Sequence, residues 1–253
     1  VRVVLYNIRY GTGTGWDYHL PLPFSGLFRR TEASLRHLSS FIDGMKPDLV
    51  GLVEVDGGSY RHGGESQARC LAENLDLDAF FSCKYGRDSI FRKVPVLSSQ
   101  GNAILSRIPV QRTSKVDLER GMKRTLLEVE FEQFVFLLVH LPLGMNARKA
   151  QLETLAGRVK AHGKPVLLGG DFNLLHGSGE LRQFLSRTGL RDADTSARKT
   201  YPSRMPRFRL DFLLTGPGVE VRSFDVPAVR FSDHLPLVCD FEISGSPERG
   251  EKA

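Results

Sequence analysis

About ten short apolar or alternating runs, against only three or four amphipathic ones, constrain this chain more than any other feature. The runs "VRVVLYNI" (1–8), "DLVGLVEV" (48–55), "QFVFLLVH" (133–140) and "KPVLLGGD" (164–171) are almost wholly apolar, the pattern of strands buried on both faces. Further strands are expected near 79–85, 101–106, 110–118 and 124–131, and at "RLDFLL" (209–214), "VEVRSF" (219–224) and "LPLVCDFEI" (235–243). Helical spacing marks 31–46, where Leu35, Leu38, Phe41, Ile42 and Met45 share a stripe and Thr31 is placed to cap the N-terminus. It also marks residues near 65–75, 146–162 (with Leu152, Leu155 and Val159 inward) and 178–188. So many strands with short connections do not suit a doubly wound parallel sheet. They predict an α/β fold of two mixed, mainly antiparallel β-sheets packed face to face, with helices on the outside. No repeat or low-complexity linker divides the chain, so a single domain is expected over 1–243, with "SGSPERGEKA" (244–253) as a solvated tail.

The second pattern is chemical. Asn7 ends the first run, Glu54 ends "GLVE", His140 ends "FLLVH", and Asp171 with Asn173 ends "VLLGGDFN". Asp211 lies between Leu210 and Phe212, where an acid needs a partner. Asp233 and His234 immediately precede "LPLV". Any one of these has an ordinary explanation as a turn residue, a solvated strand end or a hydrogen-bonded core histidine. Recurrence in one chemical style at successive strand ends is the signal. Strand alternation places Asp171 and Asn173 on one side with Phe172 in the core, and Gly169 and Gly170 are expected to give the backbone room beside a ligand.

Carboxylates, asparagine amides and two histidines, without a thiolate cluster or a paired-histidine zinc motif, suit Mg²⁺ or Mn²⁺ better than zinc. Such an ion beside histidines and amide donors suits attack of water on phosphorus. The formal charge of +6 and the pI near 9.3 favour anionic ligands, whether phosphate, nucleic acid or acidic headgroups. Cys70, Cys83 and Cys239 are odd in number and scattered, and read as small buried groups. The longest apolar run, "FVFLLVHLPLG", is too short to span a bilayer. The chain opens at Val1 inside a strand-like run, which leaves its compartment open and is compatible with an upstream targeting or membrane segment.

The order of "YNIRYG", "LVGLVEVD", "GNAILS", "LVHLPLG", "LLGGDFN", "RLDFLL" and "SDHLPLV" resembles the endonuclease/exonuclease/phosphatase superfamily, which includes deoxyribonuclease I-like and sphingomyelinase-like phosphoesterases. The resemblance spans roughly residues 3 to 243 and is greatest to small bacterial members. It implies a four-layer α/β sandwich and a Mg²⁺-dependent hydrolase of phosphodiester bonds, with Mn²⁺ as a possible substitute. By motif, Glu54 would be the main metal ligand, with Asn7 alongside and Asp233 near the metal. Asp171 would orient or deprotonate the attacking water, and Asn173 would hold a phosphate oxygen. His234 would serve as general base or as a cation facing the phosphate, oriented by Asp211, while His140 would donate to the phosphate.

The substrate is less legible. A lipid headgroup or small phosphodiester is the favoured expectation, a nuclease acting on DNA or RNA the alternative, and a catalytically dead binding module is disfavoured because the motif positions are intact. Three segments are candidate rims: "GWDYHLPLPFSGLF" (15–28), "GRDSIFRKVPVLSS" (86–99) and the basic "ARKTYPSRMPRFR" (197–209). Asn102, Arg204 and Arg207 are the candidate substrate contacts. A monomer with no obligate protein partner is expected.

Overall fold

The computed structural model describes residues 1–13, 30–83, 96–118, 125–175, 177 and 179–244. The first two rim segments fall largely outside these residues, as does nearly all of the tail. Two six-stranded mixed sheets form the centre. The first contains β1 (Arg2–Asn7), β2 (Leu49–Asp56), β3 (Asp78–Cys83), β4 (Gln100–Ser106), β11 (Val219–Asp225) and β12 (Leu237–Ile243), in the order β11-β12-β1-β2-β4-β3. The second contains β5 (Arg112–Asp117), β6 (Thr125–Glu130), β7 (Val135–His140), β8 (Val166–Asp171), the two-residue β9 (Arg191–Asp192) and β10 (Asp211–Thr215), in the order β5-β6-β7-β8-β10-β9. Each sheet is antiparallel except at one central pair, β1 with β2 and β7 with β8.

Parallel neighbours need a long crossover. Helix α1 (Glu32–Gly44) lies between β1 and β2, and α3 (Met145–Ala161) between β7 and β8. Two more described helices, α2 (Gln67–Leu75) and α4 (Gly179–Thr188), complete the outer layers. The core is correspondingly in three slabs. Val4, Tyr6 and Leu52 pack with Leu35, Leu38 and Ile42 of α1. Val3, Leu5, Phe136 and Leu138 fill the space between the sheets. Val135, Leu137 and Val139 meet Leu152, Leu155 and Val159 of α3. Alternate residues of β1 and β7 thus serve different slabs, which is why these strands are apolar on both faces. The predicted sandwich of sheets with outer helices is the observed one.

The glycines of "LLGGD" are required by packing within and between the sheets. A Cβ on Gly169 would lie 3.2–3.3 Å from Leu213, Leu5 and Phe136, where the sheets meet. Gly170 has φ +147°, and a Cβ there would stand 1.9 Å from the Val139 carbonyl oxygen. Helix α1 departs from expectation: Thr31 occupies the N-cap, but its hydroxyl bonds to the Arg61 carbonyl and not to the first turn. The 3₁₀ turns at Arg9–Gly11 and Tyr60–His62, and the short β9, carry no periodic signal and were not anticipated.

Candidate active site

Sheet topology brings the polar strand ends together. Because β1 runs parallel to β2, Asn7 and Glu54 arrive at the same edge of the first sheet. Because β7 runs parallel to β8, His140 and Asp171 are register partners at the end of the second. Strand β10 is antiparallel to β8 and begins at Asp211, directly opposite Asp171. Strand β12 is antiparallel to β1, with Leu237 opposite Leu5, so the preceding Asp233 and His234 are delivered near Asn7.

At the centre is Asp171, only 2% exposed. Its Oδ2 accepts from Asn7 Nδ2 at 3.1 Å, and its Oδ1 from the Asn173 backbone N–H at 3.0 Å. The same Oδ2 lies 3.4 Å from His140 Nε2 and 4.0 Å from His234 Nε2. His140 Nε2 is also 3.9 Å from Glu54 Oε1, which links the edges of the two sheets. His234 Nδ1 contacts Asp211 Oδ2 at 2.7 Å, as expected from the sequence. Burial opposes charge on this ring, but Asp211, followed by Asp171 and Asp233, outweighs it and raises the His234 pKa to about 10. An imidazolium at neutral pH follows.

Strand alternation does not carry through to Asn173. Its φ is +53°, its N–H turns back to Asp171, and its side-chain Nδ2 donates to the Leu141 carbonyl at 2.8 Å. Buried Arg148 fixes the turn from behind, donating from one Nη to the carbonyls of Pro142, Leu143 and Asn173. Glu54 also departs from regular strand geometry. Between the Leu52–Ala103 and Val55–Gly101 pairs, Val53 and Glu54 oppose Asn102 alone, making a β-bulge with Glu54 at φ +58°. The bulge re-aims Glu54 towards the cleft. Asn102, expected to touch substrate, is buried, and its Oδ1 accepts the Glu54 N–H at 3.3 Å.

The remaining sequence candidates separate. Asp233 pairs with Arg9 Nη1 at 3.3 Å and accepts from Ser232 Oγ at 3.2 Å. In the basic strip, Arg198 is tied to Asp194 and Asp225, and Arg209 makes a two-point contact with Asp192, so these cations are structural. Arg204 is half-buried and Arg207 is exposed, its Nη2 resting 3.8 Å from Met205 Sδ. The same strip supplies two residues that sequence reasoning missed. Thr200 Oγ1 donates to Asp211 Oδ2 at 2.6 Å, and the Tyr201 ring lies 4.9 Å from that of His234. Burial, with Asp233 and Asp171 nearby, raises the Tyr201 pKa, so the phenol stays neutral.

A cation fits this donor set. Asp171, Asp211 and His234 offer ligand atoms within 4.8 Å of one another, although the Asp211–His234 contact of 2.7 Å is already a hydrogen bond that an ion would have to replace. Glu54 offers carboxylate oxygen at the same cleft, 3.9 Å from His140 Nε2, the donor chemistry a hard divalent ion prefers.

Two packed mixed sheets thus carry a cluster of acids and histidines at their strand ends. The chain belongs to the endonuclease/exonuclease/phosphatase family, whose model matches residues 4–234. A UPF0294 protein of Yersinia pseudotuberculosis is 31% identical over 106 residues, 41% of this chain and 40% of that protein. The match thus spans well under half of that relative. An endonuclease/exonuclease/phosphatase structure from Beutenbergia cavernae superposes with TM-score 0.74 and 22% identity, over 98% of this chain and 72% of that one. The human Nocturnin catalytic domain with bound sulfate superposes with TM-score 0.68 and 21% identity, over 96% and 94%.

Proposed function

We propose that the chain is a Mg²⁺-dependent phosphodiesterase that hydrolyses a lipid headgroup or small phosphodiester by in-line attack of water. The observation that carries this reading is the convergence of His140, Asp171 and the Asp211–His234 pair on one cleft. Asp171 orients the water and takes its proton as the new P–O bond forms. The His234 imidazolium faces the phosphate, offsets charge on its oxygens and protonates the departing oxygen as the old P–O bond breaks. Asp211 holds that ring and stabilises its charge. One amide N–H of Asn173 is committed to Leu141, which leaves the other for a phosphate oxygen. Glu54 is the principal cation ligand, with Asn7 and Asp233 bordering it. A bound Mg²⁺ supplies charge neutralisation at the phosphate.

Support for a small or lipid substrate comes from exposed Leu143 and Met145, which follow His140, and Met205 and Phe208, which follow Tyr201. Exposed Lys199 and Arg207 and the overall positive charge favour a nuclease instead. The purified chain should cleave a generic phosphodiester, lose that activity in EDTA and regain it with Mg²⁺. Parallel assays on phospholipid vesicles, plasmid DNA and RNA then separate the substrates. Catalytic degradation of DNA without lipid turnover would remove the lipid assignment, and full activity in EDTA would remove the metal.

A further inference from the structure

A second cluster of metal-competent side chains lies outside the cleft, where the 3₁₀ turn Tyr60–His62 leads into α2. A ring nitrogen of His62, a carboxylate oxygen of Glu65 and the Cys70 sulfur lie within 4.8 Å of one another. We propose that these three residues form a site for Zn²⁺ or a similar borderline transition cation, distinct from the hard-ion site at Glu54. Imidazole, thiolate and a single carboxylate are a zinc-type set that leaves a fourth position for water, whereas Mg²⁺ avoids sulfur.

Three observations favour a site over chance proximity. His62 is 5% exposed, and its Nδ1 sits 3.2 Å from Thr31 Oγ1, so Nε2 is the nitrogen left to bind. The Thr31 hydroxyl is itself held by the Arg61 carbonyl and by Gln67 Nε2. With the Thr31 proton on the Arg61 carbonyl, His62 Nδ1 carries its own proton towards Thr31, which leaves the Nε2 lone pair for an ion. That second layer orients metal-bound imidazoles generally. Secondly, Ser66 caps α2, accepting from the Arg69 N–H, and thereby fixes the start of the helix between Glu65, just ahead of the cap, and Cys70 in its first turns. Thirdly, access differs among the cysteines: Cys70 is half-buried, whereas Cys83 and Cys239 are buried. Tetrahedral ligands at bonds of roughly 2.0–2.3 Å stand about 3.3–3.8 Å apart, so side-chain rotations of about an ångström complete the shell. Burial and the neighbouring Glu65 and Glu73 raise the Cys70 pKa, so capture of the ion releases the thiol proton to solvent.

The site would brace the active cleft from outside. Gln67, which touches Thr31, also accepts the Asp56 N–H and donates to the Tyr10 carbonyl, joining the ends of β2 and β1. The test uses the intact chain and follows Cys70 with a thiol reagent. Zn²⁺ should slow its modification about tenfold or more, Mg²⁺ should not, and Co²⁺ should develop a thiolate charge-transfer band. Cys70→Ser should abolish the band, Glu65→Gln should weaken metal binding, and both should keep Mg²⁺-dependent turnover. Because the band requires sulfur, an ion lodged at Asp171 cannot imitate it. Unchanged Cys70 reactivity in Zn²⁺, or a band indifferent to both Glu65→Gln and His62→Gln, overturns the proposal.

Discussion

Two buried aspartates end two of the central parallel strands, and their surroundings differ in kind. Asp56, at the end of β2, is 0% exposed and accepts from the Gly58 and Ser59 N–H groups, the Ser59 hydroxyl, and Arg61 Nε and Nη2. A buried guanidinium matches its charge at 2.8 Å. Asp171, at the end of β8, accepts from two amide groups and lies beside two imidazoles, with the carboxylate of Asp211 opposite it in the sheet. The first aspartate is neutralised inside the fold by a fixed cation. The second has imidazole nitrogens at 3.4 and 4.0 Å in place of a matched fixed cation at hydrogen-bond distance. Burial alone does not distinguish a structural acid from a chemical one; the type of partner does.

Substitution should separate the two along different axes. Asp56→Ala leaves Arg61 buried without its carboxylate, and breaking such a pair costs about 3–5 kcal/mol. The denaturant midpoint should fall steeply, and a midpoint close to the parent's would make the Asp56 network dispensable. Asp171→Ala removes a carboxylate that accepts from two amide groups and lies beside two imidazoles. Turnover should fall about 100-fold or more while the unfolding midpoint stays near the parent's. Near-full activity in that variant would dissolve the contrast.

Legibility in the sequence follows the same division. The strand ends that became the cleft were readable because apolar runs stop abruptly at Asn7, His140 and Asp171, and the sheet keeps them where the runs predict. Asp211 was readable as an acid in an apolar setting, although β10 begins on it instead of enclosing it. What could not be read depends on contacts distant in the chain. Thr200 and Tyr201 join the cleft only because their segment folds against Asp211 and His234, and Arg148 serves from the hidden side of α3. The left-handed backbone at Glu54 and Asn173 carries no glycine to announce it. Gly169 and Gly170 show the converse, since the sheet packing that requires them could not be read from the sequence.

The protonation difference can be sharpened by pH. His234 has a folded-state pKa raised above its ordinary 6.5 to about 10, chiefly by Asp211 against the opposing effect of burial. A raised pKa means that the charged pair contributes its full stability below about pH 6.5, and that this contribution is lost as pH rises towards about 10. In metal-free buffer, the stability gap between the parent chain and Asp211→Asn should therefore be widest below pH 6.5 and narrow through the alkaline range. A gap that is constant with pH would place the proton elsewhere.

The smallest effect concerns Glu54, two residues before Asp56 on the same strand, and asks whether the bulge separates the roles of the two acids. Glu54 holds a left-handed backbone conformation that costs a non-glycine residue about 1 kcal/mol or more, and the Asn102 side chain receives its N–H. Asn102→Ala removes that acceptor, while the flanking pairs Leu52–Ala103 and Val55–Gly101 should keep the strand in register. Leaving the Glu54 N–H without its acceptor costs about 1–3 kcal/mol, so stability should fall by that order. If the bulge exists to aim Glu54 at a cation, the loss should appear chiefly as a higher Mg²⁺ concentration for half-maximal activity, about 10-fold or more, with turnover at saturating Mg²⁺ largely restored. A drop in turnover that Mg²⁺ does not restore would instead place Asn102 against the substrate, as the sequence first suggested, and would make the bulge a consequence of packing.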